Sequence, residues 1–420
     1  MTAPSCLMKP SLSAPSAGGL FFPQRVQLGL DARDVTPELN RAVVQLAAEV
    51  RSFERASMTT RRVLRIDVSD STIRRLVGQV GGELAGLEEL DGRCDGKEAV
   101  VPEIAVASCD GGRLRTREPG HGRGVTLCGD TGWKETKNAS FEKMTLHVDH
   151  QPGVDPCPEL PTSFRCAKNV AGIAEKPVPD VTGDAAVESS RVIHKGPQRV
   201  LRTVLSSLVS SDEFGPQMQR EASRRRFYES PLRAFIGDGL NWNWSIWKRY
   251  FPTFIPILDF IHAIQYLYQS ALAVSNDDAS AWALYVEHVT WCWSGRIDDV
   301  IADLERRCTD AGNPDFTELS DDHPLKPVGD AIRYFRNNRE RMDYPTYRRQ
   351  GLPVTSAPME SLIKQINARV KGTEMFWDNP TGAEAILHVR AAALCDDGRL
   401  DNYLECRPGH PFVRRATIAA

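Results

Sequence analysis

The sequence predicts an α/β protein whose sheet is interrupted by a long all-helical stretch and preceded by a helical, helix-turn-helix-like N-terminal region. Two short apolar runs, at 102–108 and 231–237, lead into the Asp-Gly pairs Asp110-Gly111 and Asp238-Gly239, as buried strands do when they exit into a turn. Apolar residues at three- and four-residue steps dominate 34–84 and 263–345, the spacing of amphipathic helices.

In order along the chain, residues 1–22 are rich in Ser, Ala, Pro and Gly and read as a disordered leader. Residues 23–96 form a helical DNA-binding region. Within it Ile73, Leu76, Val77 and Val80 line one helix face while Arg74 and Arg75 occupy another, as in a recognition helix. Residues 97–262 hold the first part of the core, with strands at 102–108, 133–148 and 231–237, a helix over 200–226, and a short strand running into a helix at 255–262. Between them, six prolines in 149–190 mark a long excursion. Residues 263–345 are the helical insertion, and 346–420 return to the core with a helix over 359–372.

A length of 420 residues suits about two or three domains with real cores. Lys and Arg total 52 against 55 Asp and Glu, a net charge of -3, which excludes a protein that coats nucleic acid by bulk charge. Any DNA contact must come from local patches. The ten cysteines include no Cys-x-x-Cys pair, so zinc ribbons are not expected and reduced thiols in the cytoplasm are. The longest apolar stretch, 251–274, contains two prolines, Asp259 and His262, which argues against a membrane span and a membrane partner.

The acids carry the chemistry. An acid at a strand exit projects into the crevice where α/β sheets place ligands. Asp110 and Asp238 do so on separate strands, and Glu360 follows on a basic helix. Clustered carboxylates repel one another unless a divalent cation intervenes, and hard Mg²⁺ prefers oxygen donors completed by substrate phosphates. Two such ions can activate a water or 3'-hydroxyl and stabilise the leaving oxygen in phosphodiester displacement. Arg113 follows the first acid and Lys364, Arg369 and Lys371 the third, cations suited to phosphate. Trp242 could stack on an unpaired base.

Three blocks then show a family resemblance. Ala107-Ser-Cys-Asp-Gly-Gly-Arg-Leu-Arg-Thr-Arg117 with Gly132-Trp-Lys-Glu-Thr-Lys-Asn-Ala139 resembles the first catalytic block of bacterial insertion-sequence transposases of the Kra type. Phe235-Ile-Gly-Asp-Gly-Leu-Asn-Trp-Asn-Trp244 and Ile257-Leu-Asp-Phe-Ile-His262 resemble the second. Arg341-Met-Asp-Tyr-Pro-Thr-Tyr-Arg348, Gly351-Leu-Pro-Val-Thr-Ser-Ala-Pro-Met-Glu-Ser361 and Arg369-Val-Lys-Gly-Thr-Glu-Met-Phe-Trp377 resemble the third.

The resemblance implies a Mutator-like DDE transposase with an RNase H-like catalytic core split by the helical insertion. Asp110, Asp238 and Glu360 would be its catalytic, metal-binding triad, holding two Mg²⁺ or Mn²⁺ ions. Asp259 and His262 would support that triad or position DNA. The implied partners are the terminal inverted repeats and target DNA, engaged by a homodimer. Element ends would be hydrolysed, and the freed 3'-hydroxyl would attack the target. Two alternatives stay open: a decayed or domesticated copy that occupies the repeats without cutting, and a nuclease of the same fold without strand transfer. Two departures from the family pattern stand out. A Cys-rich segment commonly precedes the piece similar to Gly18-Gly-Leu-Phe-Phe-Pro23, whereas only Cys6 does here, so a truncated end-recognition domain is expected. The family's Gly-Ser-Gly turn before the Glu is replaced by Thr355-Ser356-Ala357-Pro358.

Overall fold

The structure is a computed structural model that describes residues 12–13, 20–21, 36–90, 100–117, 132–177, 196–312, 319–372 and 375–407. The chain divides into two compact units: residues 1–87, 113–134 and 366–420 form the first, and residues 88–112 and 135–365 the second.

The first unit opens with three helices, each started by a local polar signal or a short connection. Thr36 caps α1 (Pro37–Glu49) by accepting from the Leu39 N–H, with Pro37 at the first helical position. Ser52 caps α2 (Phe53–Val63) through the Arg55 N–H. Helix α3 (Asp70–Glu89) buries Ile73, Leu76, Val77, Val80 and Leu84, the apolar face expected from sequence. Of the N-terminal 22 residues only Leu12–Ser13, paired antiparallel with Leu20–Phe21, is described; the rest of the expected leader lies outside the described residues.

The second unit is built on five strands: β1 (Ile104–Arg115), β2 (Trp133–Thr145), β3 (Gln198–Ser207), β4 (Leu232–Gly237) and β5 (Ile255–Leu258). Their order is β3-β2-β1-β4-β5. Strands β1, β4 and β5 run parallel, while β2 and β3 pair antiparallel. The run Ala234, Phe235, Ile236 in β4 is buried throughout, as a central parallel strand covered on both faces requires.

Two elements differ from the sequence reading. Strand β1, expected to end at residue 108 and exit at Asp110-Gly111, continues through that pair to Arg115. Residues 198–207, expected as the start of a helix, form β3. Val200, Thr203 and Val204 are β-branched, and nine residues of β2 find partners along this segment. The helix begins only after a capping box in which Ser210 and Glu213 satisfy each other's backbone N–H groups, giving α5 (Ser211–Arg224).

Within the Pro-rich excursion a 3₁₀ turn at Thr162–Arg165 precedes α4 (Ala167–Ala174), which buries Val170 and Ala174. Arg348 anchors this segment through Asp155 at 2.6 Å. Residues 178–195 of the excursion lie outside the described residues.

Helix α6 (Asn241–Tyr250) follows β4, and α7 (Phe260–Val274) follows β5. The expected helical stretch is then filled by α8 (Asp278–Trp293), α9 (Ile297–Asp310), α10 (Lys326–Asn338) and α11 (Tyr344–Arg349). Helix α7 packs on α4, α8 and α10. Phe260 meets Trp293 and Tyr344 edge to face at 4.9 and 5.0 Å between centroids, tying the strand-proximal core to the helices.

Helix α12 (Ala357–Val370) carries Glu360, and α13 (Pro380–Ala393) and α14 (Arg399–Cys406) complete the first unit. There Arg390 of α13 donates to the Ala48 carbonyl at 3.2 Å and pairs with Glu49 of α1 at 2.7 Å. No helix among the described residues is long and apolar enough to cross a membrane.

Candidate active site

Strand register sets the site. Ser108 of β1 lies opposite Ile236 of β4, and two residues further along the chain stand Asp110, still within β1, and Asp238, one residue past the end of β4. Equal steps from a registered pair put both acids level and on the same side of neighbouring parallel strands. The chain leaves β1 toward β2 and β3 on one side and returns to β4 and β5 on the other. The carboxyl ends of β1 and β4 therefore flank the crevice where open α/β sheets bind ligands.

Local geometry fixes both side chains. The Gly111 N–H donates to Asp110 Oδ1 at 2.6 Å. Asp238 Oδ1 accepts from the Leu240 N–H at 2.9 Å and from Asn243 Nδ2 at 2.5 Å. Asn243 is fully buried and its Nδ2 also reaches the Cys109 carbonyl at 3.5 Å, linking the ends of the two strands. Gly239 turns the chain with φ of +100°, a conformation that disfavours any side chain, and the Tyr334 ring packs against its Cα. The Tyr334 hydroxyl donates to the Asp238 carbonyl at 2.7 Å.

The electrostatics follow from this crowding. Burial, then repulsion from Asp238, pushes the Asp110 carboxyl up to about 6. Asp238 is also raised, by burial first, although the Leu240 N–H and His262 hold it back. His262 is the compensating charge. Burial pulls it down, but the hydrogen bond to Asp259 and the charges of Asp259, Asp238 and Asp110 together lift it to about 9.

Asp259 is fully buried at the start of α7. One of its oxygens accepts from the Ile261 N–H at 3.1 Å and the Ser356 N–H at 2.9 Å. The other meets His262 Nδ1 at 2.7 Å and the Ser356 hydroxyl at 2.5 Å. Ser356 immediately precedes α12, so this carboxylate holds the start of the helix that bears Glu360. Burial, then the charge of Asp259, raises the Glu360 carboxyl, while His262 and Lys364 at 3.9 Å pull it back.

The structure thus brings Asp110, Asp238, Asp259 and His262 into one charge-coupled group. Glu360 couples to Asp259 and His262. Among the described residues no three His, Cys, Asp or Glu side chains stand close enough to hold a cation by themselves, so the expected triad is an aspartate pair with the third acid set apart. Two carboxylates raised by burial, Asp110 further by the charge of Asp238 and Asp238 by that of Asp259, nevertheless suit Mg²⁺, which takes one or two protein carboxylates and fills its other positions with water and phosphate.

The expected DNA contacts fall in different settings. In the second unit, Lys364 is 81% exposed. Trp242 is half-buried beneath the Lys137 ammonium, 4.2 Å from its ring centroid, and its indole Nε1 has no hydrogen-bond partner among the described residues. In the first unit, Arg113 and Lys371 are exposed, and Arg74 is exposed but paired with Asp378. Arg75 is half-buried, with Nε and Nη2 lacking partners among the described residues.

Arg369 corrects the sequence reading. Expected as a DNA-phosphate contact beside Lys364 and Lys371, it is 1% exposed, donates to the Ala47 and Arg51 carbonyls at 2.6 and 3.2 Å, and lies over the Phe53 and Trp377 rings. Helical periodicity alone could not show that α1 and α2 cover that face.

Sequence reasoning missed Asn243, Tyr334 and Ser356. Asn243 stood in the Asp238 block, and Ser356 in the turn before Glu360, both as unweighted letters. Tyr334 carried no signal, because only folding brings α10 to Gly239.

No protein-family description matches the chain, and no curated protein does. A solved structure described as the Drosophila P element transposase strand transfer complex aligns over 87% of this chain and 93% of its own, at 9% identity and a TM-score of 0.37.

Proposed function

We propose that the chain is a DNA transposase of the DDE type, with an RNase H-like core, that cleaves the ends of its element and joins them to target DNA with Mg²⁺ or Mn²⁺. The observation that carries this reading is the matched placement of Asp110 in β1 and Asp238 just past the end of β4, each two residues beyond the registered pair Ser108 and Ile236 of adjacent parallel strands. The motif blocks around these acids and around Glu360 support it from sequence.

Asp110 and Asp238 would hold the cation and Glu360 would complete its environment. When bound, the cation neutralises the carboxylates and polarises the phosphodiester. The protein does the rest by positioning. Asn243 and the Leu240 N–H orient the Asp238 carboxylate, leaving its second oxygen without these contacts. His262, charged below about pH 9, offsets the aspartate pair and opposes the upward shift that burial gives both acids. Asp259 fixes His262 on one side and Ser356 on the other, so the start of the Glu360 helix is set by the same carboxylate.

The test is cleavage of DNA carrying the flanking ends of the chain's own genomic element, with Mg²⁺ or Mn²⁺, mapped to the nucleotide and with EDTA as control. Metal-dependent nicks at the ends and joined products are expected from the wild type and not from Asp238→Ala or Glu360→Gln. Cleavage by Asp238→Ala at the wild-type rate would sink the assignment.

A further inference from the structure

The first unit contains a cleft of about 650 Å³ that the acids of the second unit do not line. Its walls come from α2, α3 and the segment after α12, and they include Phe53, Gly78, Arg369, Lys371, Phe376 and Trp377. This volume falls in the range of small-molecule sites. Three features bear on what it takes.

First, Arg369 is a buried cation without a matching anion. Its Nε and Nη1 are tied to backbone carbonyls, its Nη2 has no hydrogen-bond partner among the described residues, and no described carboxylate pairs with it. Burial, and then the nearby Arg390, lowers it to about 10. A buried guanidinium in this state is costly, and an anion would relieve it. The acids of the cleft do not serve. Asp378 is engaged by Arg74, and Glu54 and Asp70 stand at exposed positions.

Second, the lining is aromatic as well as cationic. Phe53 and Trp377 pack edge to face at 5.9 Å with Arg369 against both, and Phe376 is half-buried beside them. Exposed Lys371 lines the same cleft. Guanidinium, ammonium and ring surfaces in one concavity match a phosphate joined to a planar base.

Third, the space is kept open by a residue that costs helix stability. Gly78 lies inside α3, where Ala would be the better helix former, and a Cβ built there meets nothing within 4 Å. A side chain at that position would project into the cleft rather than into the core.

We propose that this cleft binds an unpaired nucleotide of a DNA strand, with its phosphate on Arg369 and Lys371 and its base against Phe376 and the exposed edges of Phe53 and Trp377. The choice of DNA rests on the transposase reading above. Its site is separate from the acids, so the two can fail separately.

The test is fluorescence anisotropy of a labelled oligothymidylate with the full chain in EDTA, where no cutting can occur. Gly78→Phe fills the cleft without removing a contact, and Gly78→Ala leaves it open. We expect wild type and Gly78→Ala to bind alike, and Gly78→Phe and Lys371→Glu to bind about tenfold more weakly, the size of one lost stacked base. Circular dichroism melting checks that Gly78→Phe is folded. Equal binding by wild type and Gly78→Phe would overturn the cleft, as would failure of the wild type to bind. Duplex of the same length should compete poorly. Displacement by free thymidine monophosphate at the strand's own concentration would assign the cleft to free nucleotides instead and overturn the strand assignment. Element-end cleavage together with equal binding by Gly78→Phe would sink the cleft alone. Cleft-dependent binding by a chain that never cuts would sink the transposase reading alone.

Discussion

The carboxylate of Asp259 accepts both the backbone N–H and the hydroxyl of Ser356, at 2.9 and 2.5 Å, and so ties the start of α7 to the start of the helix that carries Glu360. The same carboxylate holds His262. Because His262 is lifted from 6.5 to about 9 in the folded protein, the folded state keeps a proton that the unfolded chain releases. That contribution is complete below pH 6.5 and is lost as pH rises toward 9. It amounts to about 3 kcal/mol at most. Melting temperature should therefore fall over this interval in the wild type and fall less in Asp259→Asn. Parallel profiles would refute the coupling. Ser356→Ala, which removes one hydrogen bond to a charged group, should cost roughly 1.5–3 kcal/mol in urea denaturation.

Asp110 contributes with the same sign at lower pH. Its carboxyl is raised from 3.8 to about 6, so ionisation is penalised in the folded state and the stability it confers when protonated is lost as pH rises through that range. Asp110→Asn removes the penalty. In EDTA at pH 7 the variant should be more stable than the wild type by on the order of 1–3 kcal/mol while losing cleavage. A variant of equal or lower stability would show that the aspartate pair is not strained.

The parallel core was readable because buried strands write themselves as short apolar runs, and Asp238-Gly239 marked the end of β4, whereas β1 runs on through Asp110-Gly111 to Arg115. Strand β3 was not readable. Half of its evidence lies in β2, from Lys137 to Thr145, which supplies its partners. The site was legible to the same extent. Asp110 and Asp238 announced themselves, but their level placement depends on the register of β1 with β4, a tertiary quantity. Arg369 shows the limit most plainly: it was read with Lys364 and Lys371 as a phosphate contact, and its burial depends on α1 and α2, more than three hundred residues earlier.

Divalent cation should reverse the strain at the aspartate pair. A Mg²⁺ or Mn²⁺ ion that binds the folded state alone would stabilise it by mass action. The melting temperature of the wild type should rise with added Mg²⁺ at pH 7 and return on chelation. Asp238→Asn should show little of this shift, since one of the two carboxylates is gone. At pH 5, where Asp110 is largely protonated, the shift in the wild type should shrink as well. A shift of the same size in Asp238→Asn would place the cation elsewhere.

Gly239 and Gly78 make contrasting predictions from the same substitution. At Gly239 the backbone has φ of +100° and the Tyr334 ring occupies the space of a Cβ, while the Tyr334 hydroxyl holds the Asp238 carbonyl. Alanine there must strain the backbone and push the Tyr334 ring aside together, at a cost of about 2–4 kcal/mol, and it should move Asp238 enough to reduce cleavage. At Gly78 the backbone is helical and nothing lies within 4 Å of the added carbon, so alanine should stabilise by up to about 1 kcal/mol. Urea denaturation of the two variants against the wild type separates these outcomes. If Gly239→Ala were as stable as the wild type, the close approach of Tyr334 to the turn after β4 would be wrong, and with it the support proposed for Asp238.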